Sequence, residues 1–502
     1  MKKLLNFCLA SFTLVTIFSC DDNDDTMQPE EPANTPNVMV YGLTENNQLV
    51  YFNTNNSASF AATKTIMGIP AGEKLMSIDF RPATGELYAL SNASKFYIIN
   101  TSTANTRAVS TTSFTPAISG TVASIDFNPT VDRIRLVTNT GQNLRLNPET
   151  GALAASDVSI AASSSINGIA YTNSKAGATA TTLYDLDATS GKLFKQDPPN
   201  NGTLAEVGSL GITFTGQAAF DISPDNSIAL MAATSGSQNN LYTVDLNNGK
   251  AKNIGTLSQK VIDLAIPTNP VAYAIDNANA LQIFDPTNPV PVTKPITGLQ
   301  AGENIVGLDF RPLNGQLYAL GNSSRIYTIT VGATTATATQ VGAPLPTPLT
   351  GTEFGFDFNP VVDKIRVVSN AGQNLRLDPV TGGITGTDTN LSPTPVAVSA
   401  AAYTNNFAGT NSTELFVIDH NTDKLYLQNP PNGGLLVERG ALGINISQAN
   451  GFDIGSTSQK AYLMASVGAD TKIYSVNTTT GATASLATYP NPVRAFTIGL
   501  GF

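Results

Sequence analysis

Apolar positions along this chain come in short runs, and turn formers separate the runs. Val, Ile, Leu, Tyr and Phe cluster between Gly, Asn, Pro and Asp residues roughly every 8–12 positions. No stretch carries the 3.6-residue period of a long amphipathic helix, so the pattern predicts an all-β chain. One strand type recurs: Met76-Ser77-Ile78-Asp79-Phe80, Ala123-Ser124-Ile125-Asp126-Phe127, Asn167-Gly168-Ile169-Ala170-Tyr171, Ala218-Ala219-Phe220-Asp221-Ile222 and Val261-Ile262-Asp263-Leu264-Ala265. Each is followed by further apolar runs, in the clearest unit 86–90, 95–100 and 107–110, joined by turns such as Pro82-Ala83-Thr84-Gly85. Four strands in roughly 40–50 residues is the period of a propeller blade.

The pattern then repeats at an offset of about 230 residues. Asp309-Phe310-Arg311-Pro312 restates Asp79-Phe80-Arg81-Pro82, and Gly372-Gln373-Asn374-Leu375-Arg376-Leu377 restates Gly141-Gln142-Asn143-Leu144-Arg145-Leu146. Gln428-Asn429-Pro430-Pro431-Asn432 echoes Gln196-Asp197-Pro198-Pro199-Asn200. Each copy opens on a unit that lacks its recurring first strand, near Val38 and Val271, and ends on a spare strand of that type, at 261–266 and 493–498. Pairing first with last would close a ring and remove two exposed edges. The expected architecture is therefore two tandem five-bladed β-propellers of four-stranded antiparallel blades, over residues 38–266 and 271–502. The alternative is a single ten-bladed ring closed once.

Residues 1–19 have the form of a targeting segment. Lys2 and Lys3 precede an apolar run ending in Ile17-Phe18-Ser19-Cys20, a run too short to span a bilayer as a helix. It resembles a bacterial lipoprotein signal peptide, with Cys20 as the acylated first residue. The chain has 2 cysteines; Cys8 lies inside the segment that would be removed, so no disulfide could form within the mature chain. Residues 20–37, with Asp21-Asp22-Asn23-Asp24-Asp25 at their head, read as a solvated acidic tether. An acidic run after the lipid cysteine resembles the export signal of surface lipoproteins. The expected place is the outer face of an outer membrane, the alternative a periplasm-facing anchor. Part of the formal net charge of −10 sits in this tether, and a weakly acidic body excludes a nucleic-acid partner.

The densest polar cluster lies in the third blade of each copy. It comprises Asp126, Asn128, Asp132, Arg133, Arg135, Asn139, Gln142, Asn143 and Arg145, matched by Asp357, Asn359, Asp363, Lys364, Arg366, Asn370, Gln373, Asn374 and Arg376. Arg135 and Arg145 are placed to pair with Asp126 or Asp132. The set has two readings: hydrogen-bonded turns and a register-setting ion pair, or guanidinium forks and amides that meet an acidic or hydroxyl-rich ligand. Asp126, Asp132, Arg135, Asn143, Arg145, Asp357, Asp363, Arg366, Asn374 and Arg376 are the candidate ligand residues. The inner-strand acids Asp79, Asp126, Asp221 and Asp263 could line a channel and hold Ca²⁺ through oxygen. There is no Asp-x-Asp-x-Asp-Gly loop, however, and strand alternation could turn the carboxylates sideways. No metal ligand or cofactor is therefore assigned. The Pro-Pro loops at 196–200 and 428–432 read as rigid exposed turns or binding lips.

These motifs also carry a resemblance. The patterns Ile-Asp-Phe-Arg-Pro-x-x-Gly-x-Leu-Tyr, Asp-Phe-Asn-Pro-x-Val-Asp-x-Ile-Arg, Gly-Gln-Asn-Leu-Arg-Leu-x-Pro-x-Thr-Gly and Gln-x-Pro-Pro-Asn resemble a bacterial domain-of-unknown-function family, number 4394, grouped with β-propellers. The resemblance implies a fold and no catalytic residues.

An enzyme is not the expected reading. His420 is the one histidine, its counterpart in the first copy is Ala188, and it is expected at a surface turn. No catalytic triad, histidine-based zinc site or phosphate loop is in view. The absence of Trp weakens carbohydrate stacking without excluding it. The leading expectation is a non-enzymatic surface lipoprotein, anchored through Cys20, that presents a rigid platform to a protein or glycan ligand. The alternatives are a carboxylate- and cation-dependent, lactonase-like hydrolase and a structural envelope protein.

Overall fold

Strand burial falls from the inside of each sheet to its edge, and this gradient explains the sequence pattern. The inner strand Ile166–Tyr171 is buried at every position, whereas the outer strand Leu153–Ser156 alternates half-buried with exposed. Strands covered on both faces read as continuous apolar runs, and strands covered on one face alternate. The computed structural model describes residues 35–502. The expected signal segment, Cys20 and nearly all of the acidic tether lie outside the described residues.

The described chain is all-β, built of four-stranded antiparallel sheets with three short 3₁₀ turns. In the first copy the second sheet runs from Leu75–Phe80 to Thr106–Ala108, the third from Ala123–Asn128 to Leu153–Ser156. The fourth runs from Ile166–Tyr171 to Leu204–Ser209 and the fifth from Ala219–Ile222 to Ala251–Thr256. The first sheet joins both ends of the copy: Val261–Ala265 pairs antiparallel with Met39–Thr44, with Tyr41 opposite Ala265. The second copy repeats the plan. Val493–Ile498 pairs with Ala272–Asp276, with Ala272 opposite Ile498. There the first and second sheets fuse into one of eight strands, through a parallel pairing of Ile296 with Ala336. The expected pairing of first and last strands is thus present in both copies.

Inner strands pack in sequence. Leu75–Phe80 lies against Ala123–Asn128, that strand against Ile166–Tyr171, and so on to Val261–Ala265, which returns to Leu75–Phe80. Val493–Ile498 returns in the same way to Ile305–Arg311 within the second copy. Such close approach selects small residues. A Cβ on Gly355 would sit 2.6 Å from that of Ala401, and one on Gly451 would sit 2.6 Å from the Cβ of Phe496. Between sheets lie apolar layers, such as Tyr88, Phe96, Phe127 and Leu136 between the second and third. Each fully buried side chain of this size contributes about 1.5–3 kcal/mol.

The two copies touch at the turn after the first Asp-Phe-Arg-Pro motif. Tyr273 donates its hydroxyl to the Ala83 carbonyl at 2.9 Å, and Arg107 donates to the Leu313 carbonyl at 2.9 Å. The Gly501 amide donates to Thr84 at 2.7 Å. Residues 36–502 form a single unit.

Candidate functional site

Arg135 and Arg366 are almost fully buried, so every guanidinium donor needs an acceptor. Both find the same set. Arg135 Nη1 donates to Asn143 Oδ1 at 2.8 Å and Asp157 Oδ2 at 2.6 Å, Nη2 to Asn200 Oδ1 at 2.7 Å, and Nε to the Tyr171 hydroxyl at 3.3 Å. Arg366 repeats this with Asn374 at 2.7 Å, Asp388 at 2.6 Å, Asn432 at 2.8 Å and Tyr403 at 3.3 Å. Arg145 and Arg376 grip Asp157 and Asp388 from the other side through two-bonded forks. Asn143 Nδ2 also donates to the Pro199 carbonyl at 2.9 Å. The arginine cluster and the Pro-Pro loop, read separately from the sequence, therefore form one seam between the third and fourth sheets.

Other candidate residues go elsewhere. The expected pairing of Arg135 with Asp126 or Asp132 does not occur; its acid is Asp157. Asp132 and Asp363 instead take the guanidinium forks of Arg81 and Arg311, across to the second sheet. Asp126 and Asp357 instead accept the N–H groups of Tyr171 and Tyr403 on the next inner strand. Asp157 and Asp388 escaped the sequence reading, although they repeat at the same offset as Arg135 and Arg366. In the second copy the seam opens into a cavity of about 240 Å³, with Asn359, Lys364, Arg366, Arg376, Tyr403 and Asn432 in its wall. Val362 is exposed at its rim.

The inner-strand acids converge. Oxygens of Asp79, Asp126 and Asp221 lie within 4.8 Å of one another, as do those of Asp309, Asp357 and Asp453. The carboxylates bond neither to turns nor sideways into their own sheets alone. Each accepts a backbone N–H from the next inner strand: Asp79 from Phe127 at 2.8 Å, Asp126 from Tyr171 at 3.2 Å, Asp221 from Ile266 at 2.6 Å and Asp263 from Ile78 at 2.9 Å. In the second copy Thr497 stands at the end of the series, bonded to Asp309 and Asp453. These acids clasp neighbouring strands together.

Burial raises the affinity of the clasp carboxyls for protons. It pushes Asp221 up to about 7, Asp263 to about 8 and Asp453 to about 6, and raises Asp79, Asp126, Asp309 and Asp357 well above the usual range with help from neighbouring acids. The sign follows from linkage. Below an unfolded value of 3.8 both states hold the proton. Above it the folded state keeps protons that the unfolded chain releases, so stability falls as pH rises from about 4 to 8. The acids with lowered values, Asp157, Glu73, Asp225 and Asp378, titrate below this window and do not offset it. Calorimetry should find the melting temperature at pH 8.5 lower than at pH 5.5 by roughly 5 °C or more, at about 2–4 °C per kcal/mol. Asp263→Asn should flatten the profile. A melting temperature that climbs over this interval would contradict the protonated clasp.

His420 stands at a turn, as expected, but not on a free surface. It follows the strand Leu415–Asp419, is half-buried, and sets Nδ1 3.1 Å from Glu353 Oε2 and 3.2 Å from Ser399 Oγ. Acid and hydroxyl meet the same ring nitrogen, so no relay runs from Glu353 through the imidazole to Ser399.

Among the described residues no helix is long and apolar enough to cross a membrane. No curated protein is significantly similar to the chain. The model of the domain of unknown function DUF4394 matches residues 48–265 and again 280–498, the two copies in tandem. Those spans hold the arginine seams and the axial acids alike, and the chain belongs to the DUF4394 family in two tandem copies.

Proposed function

We propose that each copy is a five-bladed propeller, over 38–266 and 271–502, and that the pair forms a non-enzymatic binding platform on the cell surface. The return of each last inner strand to the first of its own copy supports two rings over one ring of ten blades. The platform would hang from an outer membrane by acylated Cys20 and the acidic tether. The observation that carries the binding reading is the seam cavity of the second copy. It brings two arginines, a lysine, a tyrosine hydroxyl and an amide to one concave wall of about 240 Å³. Fixed guanidinium forks and amides suit an acidic or hydroxyl-rich ligand, such as a glycan or an acidic protein segment. The axial acids lend a hydrolase no support, since they are buried and bonded to backbone N–H groups.

The test uses the partly exposed arginines, because the buried pair holds the fold. The full chain is applied to a glycan and envelope-protein array beside Arg145→Ala/Arg376→Ala. Asp157 and Asp388 keep Arg135 and Arg366 in that variant, so its melting temperature should stay within about 2 °C of the parent. A hit lost in the variant places binding at the seam. A blank array, or a hit indifferent to the change, removes the platform reading.

A further inference from the structure

The two copies agree closely in their arginine seams and differ sharply at the end where the inner strands begin. In the first copy this mouth is apolar and plugged. Val122 and Ile262 are buried there, Ala188 is partly buried, and Gln217 reaches across to donate its amide to the carbonyls of Met76 and Ala123. At the matching positions the second copy has Glu353, Arg494, His420 and Ala449. Three apolar residues have become ionisable and the plug has become a methyl group, all at one opening. The result is a cavity of about 50 Å³ walled by Thr352, Glu353, Ser399, Gln448 and Arg494.

The polar groups there are incompletely used. Arg494 bonds to neutral acceptors only: Nη1 to Asn304 Oδ1 at 2.8 Å, and Nη2 to Asn279 Oδ1 at 2.6 Å and the Asp276 carbonyl at 3.0 Å. Its Nε is buried without a hydrogen-bond partner, and among the described residues no carboxylate lies within 4.0 Å of its guanidinium nitrogens. Glu353 Oε2 is buried, accepts no well-aligned hydrogen bond, and has the His420 ring nitrogen 3.1 Å away. A buried donor on a cation and a buried acceptor on an acid thus border the same small space, each costly to leave unmet. The rest of its wall offers two hydroxyls and an amide.

We propose that the mouth of the second copy binds the ammonium–carboxylate head of a small α-amino acid. The ligand carboxylate faces Arg494 Nε, and the ammonium faces Glu353 with Thr352, Ser399 and Gln448 around it. Size agrees with charge. At roughly 10–15 Å³ for each water-sized occupant, the cavity takes a handful of heavy atoms, as many as the head group has, with the side chain left at the opening. A simple anion would meet Glu353, and a simple cation would meet Arg494. This site is separate from the arginine seam and stands whether or not the seam binds anything.

The test is calorimetric titration of the full chain with glycine, L-alanine and L-serine, with acetate, methylamine and glucose as single-feature controls. Binding of the amino acids at millimolar concentration or better is expected, with none of the controls matching them. Arg494→Ile, Glu353→Val and Ala449→Gln put back the residues that the first copy carries, and each should weaken binding at least tenfold. Ala449→Gln changes no charge and tests the space alone, so a charge variant that misfolds does not spare the proposal. Lys260→Ala, an exposed change outside both the mouth and the seam, should bind as the parent does. No amino-acid binding by the parent, equal binding by folded Arg494→Ile and Ala449→Gln, or tighter binding of glucose would each overturn it.

Discussion

Asp185→Val should raise the melting temperature of the protein by roughly 5–10 °C. Asp185 is fully buried between the third and fourth sheets, opposite Phe194, and neither of its carboxylate oxygens has a hydrogen-bond partner. Burial pushes its carboxyl well above the usual range, with only a partial counterweight from Arg135. A buried polar group left unpaired costs about 1–3 kcal/mol, and an apolar side chain in its place adds about 1.5 kcal/mol of burial. Each kcal/mol moves the melting temperature about 2–4 °C in a domain of this size. The second copy already contains the comparison: Val417 occupies the matching position, packed with Val368, Tyr403 and Leu415. The gain should grow as pH rises above about 4, because the folded state must then take up a proton that the unfolded chain has lost. Scanning calorimetry of wild type and variant at pH 5 and pH 8 measures both statements. A lower melting temperature for the variant would mean that Asp185 works as an ionised partner of Arg135.

The opposite result is expected for Arg366→Ala, a loss of about 3–5 kcal/mol. Arg366 is 1% exposed and ties Asp388, Asn374, Tyr403 and the tip of the Pro-Pro loop together. Removing it strips four acceptors of a donor, those of Asn374 and Tyr403 buried, and uncouples the loop from the third sheet. Arg376 offers an internal contrast, since it holds the same Asp388 but is 33% exposed. Arg376→Ala should cost under about 1 kcal/mol. Arg366→Lys should restore only part of the loss, because an ammonium cannot reproduce a planar fork aimed at four acceptors. Urea unfolding of the three variants separates these cases. Equal midpoints for Arg366→Ala and the parent would remove the brace from the account of this fold.

The sequence reading found the seam in pieces. Arg135, Asn143, Arg145 and their copies stood out by density, and the Pro-Pro-Asn loop stood out by rigidity. Nothing local linked them, because Asn200 lies 65 residues from Arg135 and Asp157 lies 22 away. Asp126 and Asp132 were grouped with Arg135 because they sit close in sequence. Strand geometry separates them: Asp126 faces Arg135 only across the backbone ladder, and its carboxylate turns to the next inner strand. The sequence places His420 at a surface turn, whereas Ser399 of the paired strand and Glu353 beside the third sheet cover its ring.

What the sequence determined by itself was the all-β class, the four-strand period, the duplication and the pairing of first with last strands. These follow from short-range periodicity and from one pattern written twice, and both survive any arrangement of sheets in space. Only the tertiary structure decided which acid serves which arginine, that the inner-strand acids meet one another, and that the mouths of the two copies differ in charge and in space. Those outcomes depend on side chains from sheets far apart in the chain, brought within hydrogen-bond reach when each copy closes on itself. A hydrogen bond requires its partners within about 3 Å, and spacing along a strand carries no information about which distant strand will supply them.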